Sequence, residues 1–175
     1  MSLIEIRRFG DPVLRSPSLE VVEFDTRLET LAADMRETML AAPGVGLAAP
    51  QVGVPRRLFT FDSGEEAGAY ANPEIVWRSD ETQESEEGCL SVPGIFFPVT
   101  RALKVRVRAQ ALDGVPAEHE AEGFLARIFQ HEIDHLDGVL FVDRLDDEHR
   151  REAMRLIRDA DFSLSPARSG EARAL

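Results

Sequence analysis

The sequence predicts one α+β domain with a terminal helix packed on it, and three observations point there. The length, 175 residues, suits a single domain that buries about two thirds of the surface its unfolded chain would expose. Helix-length segments with apolar residues at helical spacing are interspersed with short runs of β pattern. Neither an internal repeat nor a second domain is visible.

A first helix is expected from Thr26, where TRLE has capping-box form and Leu28, Leu31, Met35 and Met39 recur on one face until Pro43 and Gly44 stop it. The Gly-rich GVGLAAPQVG reads as a turn. RLFTF (57–61) and EIVW (74–77) read as short strands, with SGEEAG between them as a solvated loop. Apolar Leu103, Val105, Val107, Ala109 and Ala111 alternate with polar residues, as in a half-buried strand. Asp113-Gly114 is a turn signal that makes the next stretch its hairpin partner. Gly123 opens the helix FLARIFQHEIDHLDG, which ends near Gly138. Apolar residues on more than one side make it largely buried, although its centre is polar. A last helix spans about Asp146 to Asp161, acids at its start and Arg155 and Arg158 toward its end. Residues 1–162 are expected to form the folded domain and 163–175 a disordered tail.

Composition excludes several function classes. A net charge of −12 argues against general nucleic-acid and direct DNA binding, which lean on clustered Lys and Arg. From Arg144 to Leu175 seven basic residues balance seven acidic ones, so the excess negative charge lies in the first 143 residues. No apolar run approaches the roughly 20 residues of a membrane helix, and MSLIEIRRFGDP lacks the features of a signal peptide. The expected address is cytoplasmic, with no membrane partner. One cysteine forbids an internal disulfide, so Cys89 is an inert core thiol, a nucleophile or a metal ligand.

His131-Glu132-Ile133-Asp134-His135 sets two imidazoles at i and i+4 on one helical face, the separation at which both reach one metal ion. Glu132 is placed to reach a water on that ion. The bland alternative is an exposed helix end. Apolar flanks weigh against it, because a buried His-Glu-His cluster without metal leaves polar groups short of hydrogen bonds. A catalytic site needs a third ligand and an open position. A third histidine continuing H-x-x-G-x-x-H would stand at Phe141, which excludes metzincin chemistry. Glu152 would serve a thermolysin-like peptidase, and that alternative stays open. Cys89, in the run Glu87-Gly88-Cys89-Leu90-Ser91, is the remaining candidate.

The sequence closely resembles the peptide deformylase family in three motifs: GVGLAAPQ (Gly44 to Gln51), EGCLS (Glu87 to Ser91) and QHEIDH (Gln130 to His135). They stand in the family's order with similar spacing, and the resemblance runs from about Ile4 through FGDPVLR to the terminal helix. It implies a central metal-bearing helix enclosed by mainly antiparallel strands. It also implies removal of the N-formyl group from the N-terminal methionine of nascent peptides. By resemblance Cys89, His131 and His135 bind the metal and Glu132 is general base and proton shuttle. The Gln51 side chain and the Leu90 backbone N–H hold the developing oxyanion. Gly46 lines the cleft and pairs with extended substrate. Val45, Phe124, Ile128 and His131 are expected walls of an apolar pocket, with ordinary core packing the competing role for Phe124 and Ile128. Glu87 is expected to pair with Arg101 behind the site. Asp134 is read either as a solvent-facing charge or as an anchor. Phe96 stands where the family often has a charged residue, which alters the cleft rim.

One thiolate and two imidazoles suit Fe(II), Zn(II), Ni(II) or Co(II), and the resemblance favours Fe(II). It also allows a docking role on the ribosome for the last helix, where Arg150, Arg151, Arg155 and Arg158 are offset by acids.

Overall fold

The computed structural model describes residues 2–160. Helix α1 (Thr26–Ala41) starts one residue earlier than a cap at Thr26 implies: Asp25 is the cap, its carboxylate accepting from the Arg27 and Leu28 amides. Strand β1 (Gly46–Ala48) and a 3-10 turn at Ala49–Val52 replace the expected Gly-rich turn. Strands β2 (Leu58–Asp62) and β3 (Ala67–Arg78) follow, so the second strand is far longer than EIVW and begins inside the expected loop. Strands β4 (Thr82–Cys89) and β5 (Val92–Ala102) form a hairpin that the sequence did not reveal. Strands β6 (Lys104–Gln110) and β7 (Pro116–Glu122) form the expected hairpin. Helix α2 (Gly123–Leu136) and helix α3 (Asp147–Asp159) complete the order. The expected tail and the boundary at 162 lie outside the described residues.

Five strands pair antiparallel in the order β1-β2-β3-β6-β7, and β4-β5 stand apart as a second, two-stranded sheet. Strand β2 is apolar on both sides because the sheet is covered on both. Phe59 and Phe61 pack with Ile128 and Phe129 of α2, whereas Leu58 packs with Met35 and Met39 of α1. On β6, Val105 and Val107 face α2. Its outward Lys104 and Arg106 pair across the strands with Glu122 and Glu120 at 3.3 and 2.6 Å. Such exposed pairs contribute little stability but fix register.

A register shift interrupts β3 between Ala71 and Glu74, around Asn72, which has a φ of 49°. The side chain compensates: its amide accepts from the Val21 amide, donates to the Val21 carbonyl and reaches Gln110, all within 2.9 Å. That pins the N-terminal segment to the sheet. Helix α3 packs Ala153 and Ile157 against the β4–β5 hairpin and Phe141, so it is amphipathic rather than exposed throughout. Helix α2 thus lies between the large sheet and the hairpin, buried from Ala126 to Leu136. No helix among the described residues is long and apolar enough to cross a membrane.

Candidate metal centre

Helix α2 meets the β4–β5 hairpin at successive levels of one face. Arg127 reaches the strand carbonyls, His131 reaches Glu87, Asp134 reaches Arg101, and His135 reaches Cys89. This brings the candidate ligand atoms of Cys89, His131 and His135 within 4.8 Å of one another, all three residues buried. The Cys89 Sγ lies 3.2 Å from His135 Nε2. His131 Nδ1 donates to Glu87 Oε2 at 3.0 Å, which leaves the lone pair on Nε2. That Nε2 is buried and has no hydrogen-bond partner among the described residues.

A buried imidazole nitrogen without a partner costs desolvation energy unless something accepts its lone pair. A cation does so, and one thiolate with two imidazoles is a donor set for a first-row divalent ion. Burial pushes the Cys89 thiol up to about 12, and the nearby Glu132 carboxylate adds to that, so a cation is what stabilises the thiolate near neutrality. Burial, reinforced by the charge of Arg101, holds His135 well below its ordinary value, neutral and free to donate a lone pair. The residues present fit a metal ion.

Glu132 is fully buried and neither carboxylate oxygen has a hydrogen-bond partner among the described residues. Burial, followed by the charge of Glu87, raises its carboxyl well above the usual range, with Arg101 opposing. It is therefore a stronger base than a surface glutamate. Gly46 explains how it fits: a Cβ at that position would stand 2.2 Å from Glu132 Oε1. The Gln51 side-chain oxygen Oε1 accepts from the Ala48 amide at 2.8 Å, which turns its Nε2 toward Cys89 Sγ and Ser91 Oγ at 3.5 and 3.2 Å. Leu90 follows the thiol directly, and its side chain is what a Cβ on Gly44 would strike, at 2.7 Å.

Behind the ligands runs a buried ionic network larger than the expected pair. Arg101 grips Glu87 with two hydrogen bonds of 2.8 and 2.9 Å. It also reaches Asp134 at 2.6 Å, and Asp134 in turn accepts two bonds from Arg144. Asp134 is thus an anchor, not a solvent-facing charge. Burial by itself would raise the Glu87 carboxyl, but the hydrogen bonds of Arg101 and His131 and the charge of Arg101 outweigh it and hold the group far below the carboxylate range.

Other expected residues separate. Val45 and Ile128 are buried in one cluster with Phe129. Phe124 is 49% exposed, so core packing is not its role; it borders a recess of about 420 Å³ with Glu65, Glu66 and Glu122. Glu152 lies on the half-exposed face of α3, bound to Arg155 at 2.6 Å and outside the ligand cluster, which disfavours the thermolysin-like alternative. Sequence reasoning missed Arg127, Arg144 and Ser91. The first did leave a signal, a lone arginine inside the apolar FLARIFQ.

Residues 3–151 match the model of the polypeptide deformylase family. The chain is 49% identical to a peptide deformylase of Acidothermus cellulolyticus, over 93% of this chain and 90% of that one. It is 51% identical to peptide deformylase 1 of Corynebacterium glutamicum, over 90% of this chain and 96% of that one. Its fold superposes on the crystal structure of peptide deformylase from Thermus thermophilus with a TM-score of 0.85 at 44% identity, covering 91% of this chain and 95% of the other. Identity near one half along almost the whole of both chains leaves no room for a shared fold with an unrelated ancestry, and this chain belongs to the polypeptide deformylase family of enzymes.

Proposed function

We propose that the chain hydrolyses the N-formyl group from peptides that begin with N-formylmethionine, releasing formate. One observation carries the reading beyond family membership: the unpartnered, buried Glu132 carboxylate stands beside a Cys-His-His cluster, against a glycine that leaves it room.

Cys89, His131 and His135 would hold a divalent ion, with Fe(II) favoured by resemblance; such an ion supplies an acidified water and a Lewis-acid contact for the formyl oxygen. Glu132 takes the proton of the attacking water and delivers it to the leaving amine, work its raised proton affinity suits. As the formyl carbon becomes tetrahedral, its oxygen gains charge, and Gln51 Nε2 and the Leu90 N–H are the donors assigned to it. Ala48 prevents the Gln51 amide from flipping. Losing one such donor typically costs about 10²–10³ in rate. Glu87 keeps His131 in the tautomer that presents Nε2. Val45 and Ile128 are buried in the core cluster and would only back the pocket for the methionine side chain from behind.

The decisive experiment is formate release from a formyl-Met peptide by wild type and Glu132→Ala, with metal analysis of both. Retained metal with abolished turnover is expected. Turnover surviving in Glu132→Ala at more than about a tenth of wild type would sink the assignment, since a positioned general base contributes at least about 10²-fold.

A further inference from the structure

Arg127 stands one helical turn before His131 on the same face of α2, and its side chain is 2% exposed. A fully buried arginine is costly unless its donors are used, and here they are. Its Nη1 donates to Glu87 Oε1 at 2.6 Å and to the Val99 carbonyl at 2.9 Å, and its Nη2 to the Gln83 carbonyl at 3.2 Å. Gln83 and Glu87 belong to β4, Val99 to β5. One guanidinium on the histidine-bearing helix therefore binds both strands of the hairpin that carries the cysteine. Glu87 Oε1 takes Arg127 and Arg101 together, and Oε2 takes Arg101 and His131. Arg127 thus holds the Glu87 carboxylate from the side opposite to its contact with His131, adding to the two-bond grip of Arg101.

We infer that Arg127 is a positioning residue for the metal centre: it sets the register of the β4–β5 hairpin on α2, so that the Cys89 sulfur arrives beside the two imidazoles and His131 keeps its orientation. It touches no candidate ligand directly and acts through Glu87 and the strand carbonyls. Hydrogen bonds one step removed from a metal commonly govern affinity by about 10–100-fold. The inference rests on the metal reading above.

The test uses Co(II) alone as probe, added to the full-length metal-stripped chain in wild type, Arg127→Met and Arg127→Lys. The readouts are Co(II) affinity by chelator competition and the near-ultraviolet charge-transfer band of a cobalt-bound thiolate. Wild type showing that band establishes Cys89 as a ligand; its absence overturns the metal reading itself. Arg127→Met keeps the stem but loses every donor. It is expected to bind Co(II) at least about tenfold more weakly with a diminished thiolate band. Arg127→Lys retains a charge for Glu87 but not the fork to both strands, and is expected between the two. A purely structural arginine would lower the melting temperature of both variants while affinity and band stayed at wild-type values, and that result overturns the inference. Should Arg127→Met fail to fold, Arg127→Lys decides on the same criterion: wild-type affinity and band refute, intermediate values support.

Discussion

Gly46 and Glu132 compete for the same space, which makes the glycine a condition for the base. A Cβ at Gly46 would collide with Glu132 Oε1 at 2.2 Å. In Gly46→Ala the carboxylate must swing away, and turnover is expected to fall by about 10²-fold or more, the usual contribution of a positioned general base. Metal content should stay unchanged, because the ligands lie on other residues. Steady-state formate release with metal analysis checks this; a variant with normal kcat would show that the carboxylate relocates without loss. The glycines of the chain thus differ in kind. Gly138, with a φ of 76° and a would-be Cβ 2.8 Å from the Arg15 backbone, serves the end of α2 and not the chemistry.

Helix α2 unites two demands that usually conflict, a dry interior and a polar face. Phe129 buries its ring completely among Phe59, Phe61 and Tyr70, and Phe129→Ala is expected to cost about 3–5 kcal/mol. By contrast Asp25→Ala, which removes the cap of α1, should cost about 1 kcal/mol. Urea denaturation of both variants compares the two. Equal losses would mean that the aromatic cluster is not what anchors α2 to the sheet. On its opposite flank the helix grips the hairpin through charged and hydrogen-bonding groups, so changes there are expected to disturb the ligands before they unfold the chain.

For the molecule as a whole, acid and, on the metal reading, loss of the ion are expected to lower stability. Glu87 titrates far below its ordinary 4.5 because Arg101 and His131 outweigh its burial. A carboxylate with a depressed folded pKa stabilises the native state above its unfolded pKa, and that stabilisation drains away as pH falls toward the folded value. The melting temperature should therefore drop steeply below about pH 4.5. Glu87→Gln should be less stable at neutral pH but flatter on the acid side; parallel curves would exclude Glu87 as the titrating group. Removing the metal with a chelator at neutral pH should lower stability as well. With free ion at about 100 times its Kd, the loss is about 2.7 kcal/mol, readable by calorimetry as several degrees.

Much of this was legible in the chain itself. Local rules sufficed wherever neighbours in sequence are neighbours in space: the i, i+4 histidines, the alternation of β6, the Asp113-Gly114 hairpin and the breaker after α1. The motifs EGCLS and QHEIDH also carried the candidate ligand triad, and the structure brings those three residues together. The β4–β5 hairpin was hidden because its acidic and proline-bearing strands lack a β pattern; they are held by pairing with each other and by α2 and α3. Arg127, Arg144 and Asp134 were equally opaque, since a charged residue reads as a surface group until its partners arrive from 10 to 44 positions away. Sequence alone therefore nominated the groups proposed for the chemistry, because donor type, helical spacing and motif resemblance are read along the chain. Tertiary structure alone decided how they are held, because desolvation and hydrogen-bond partnership exist only once distant segments have packed.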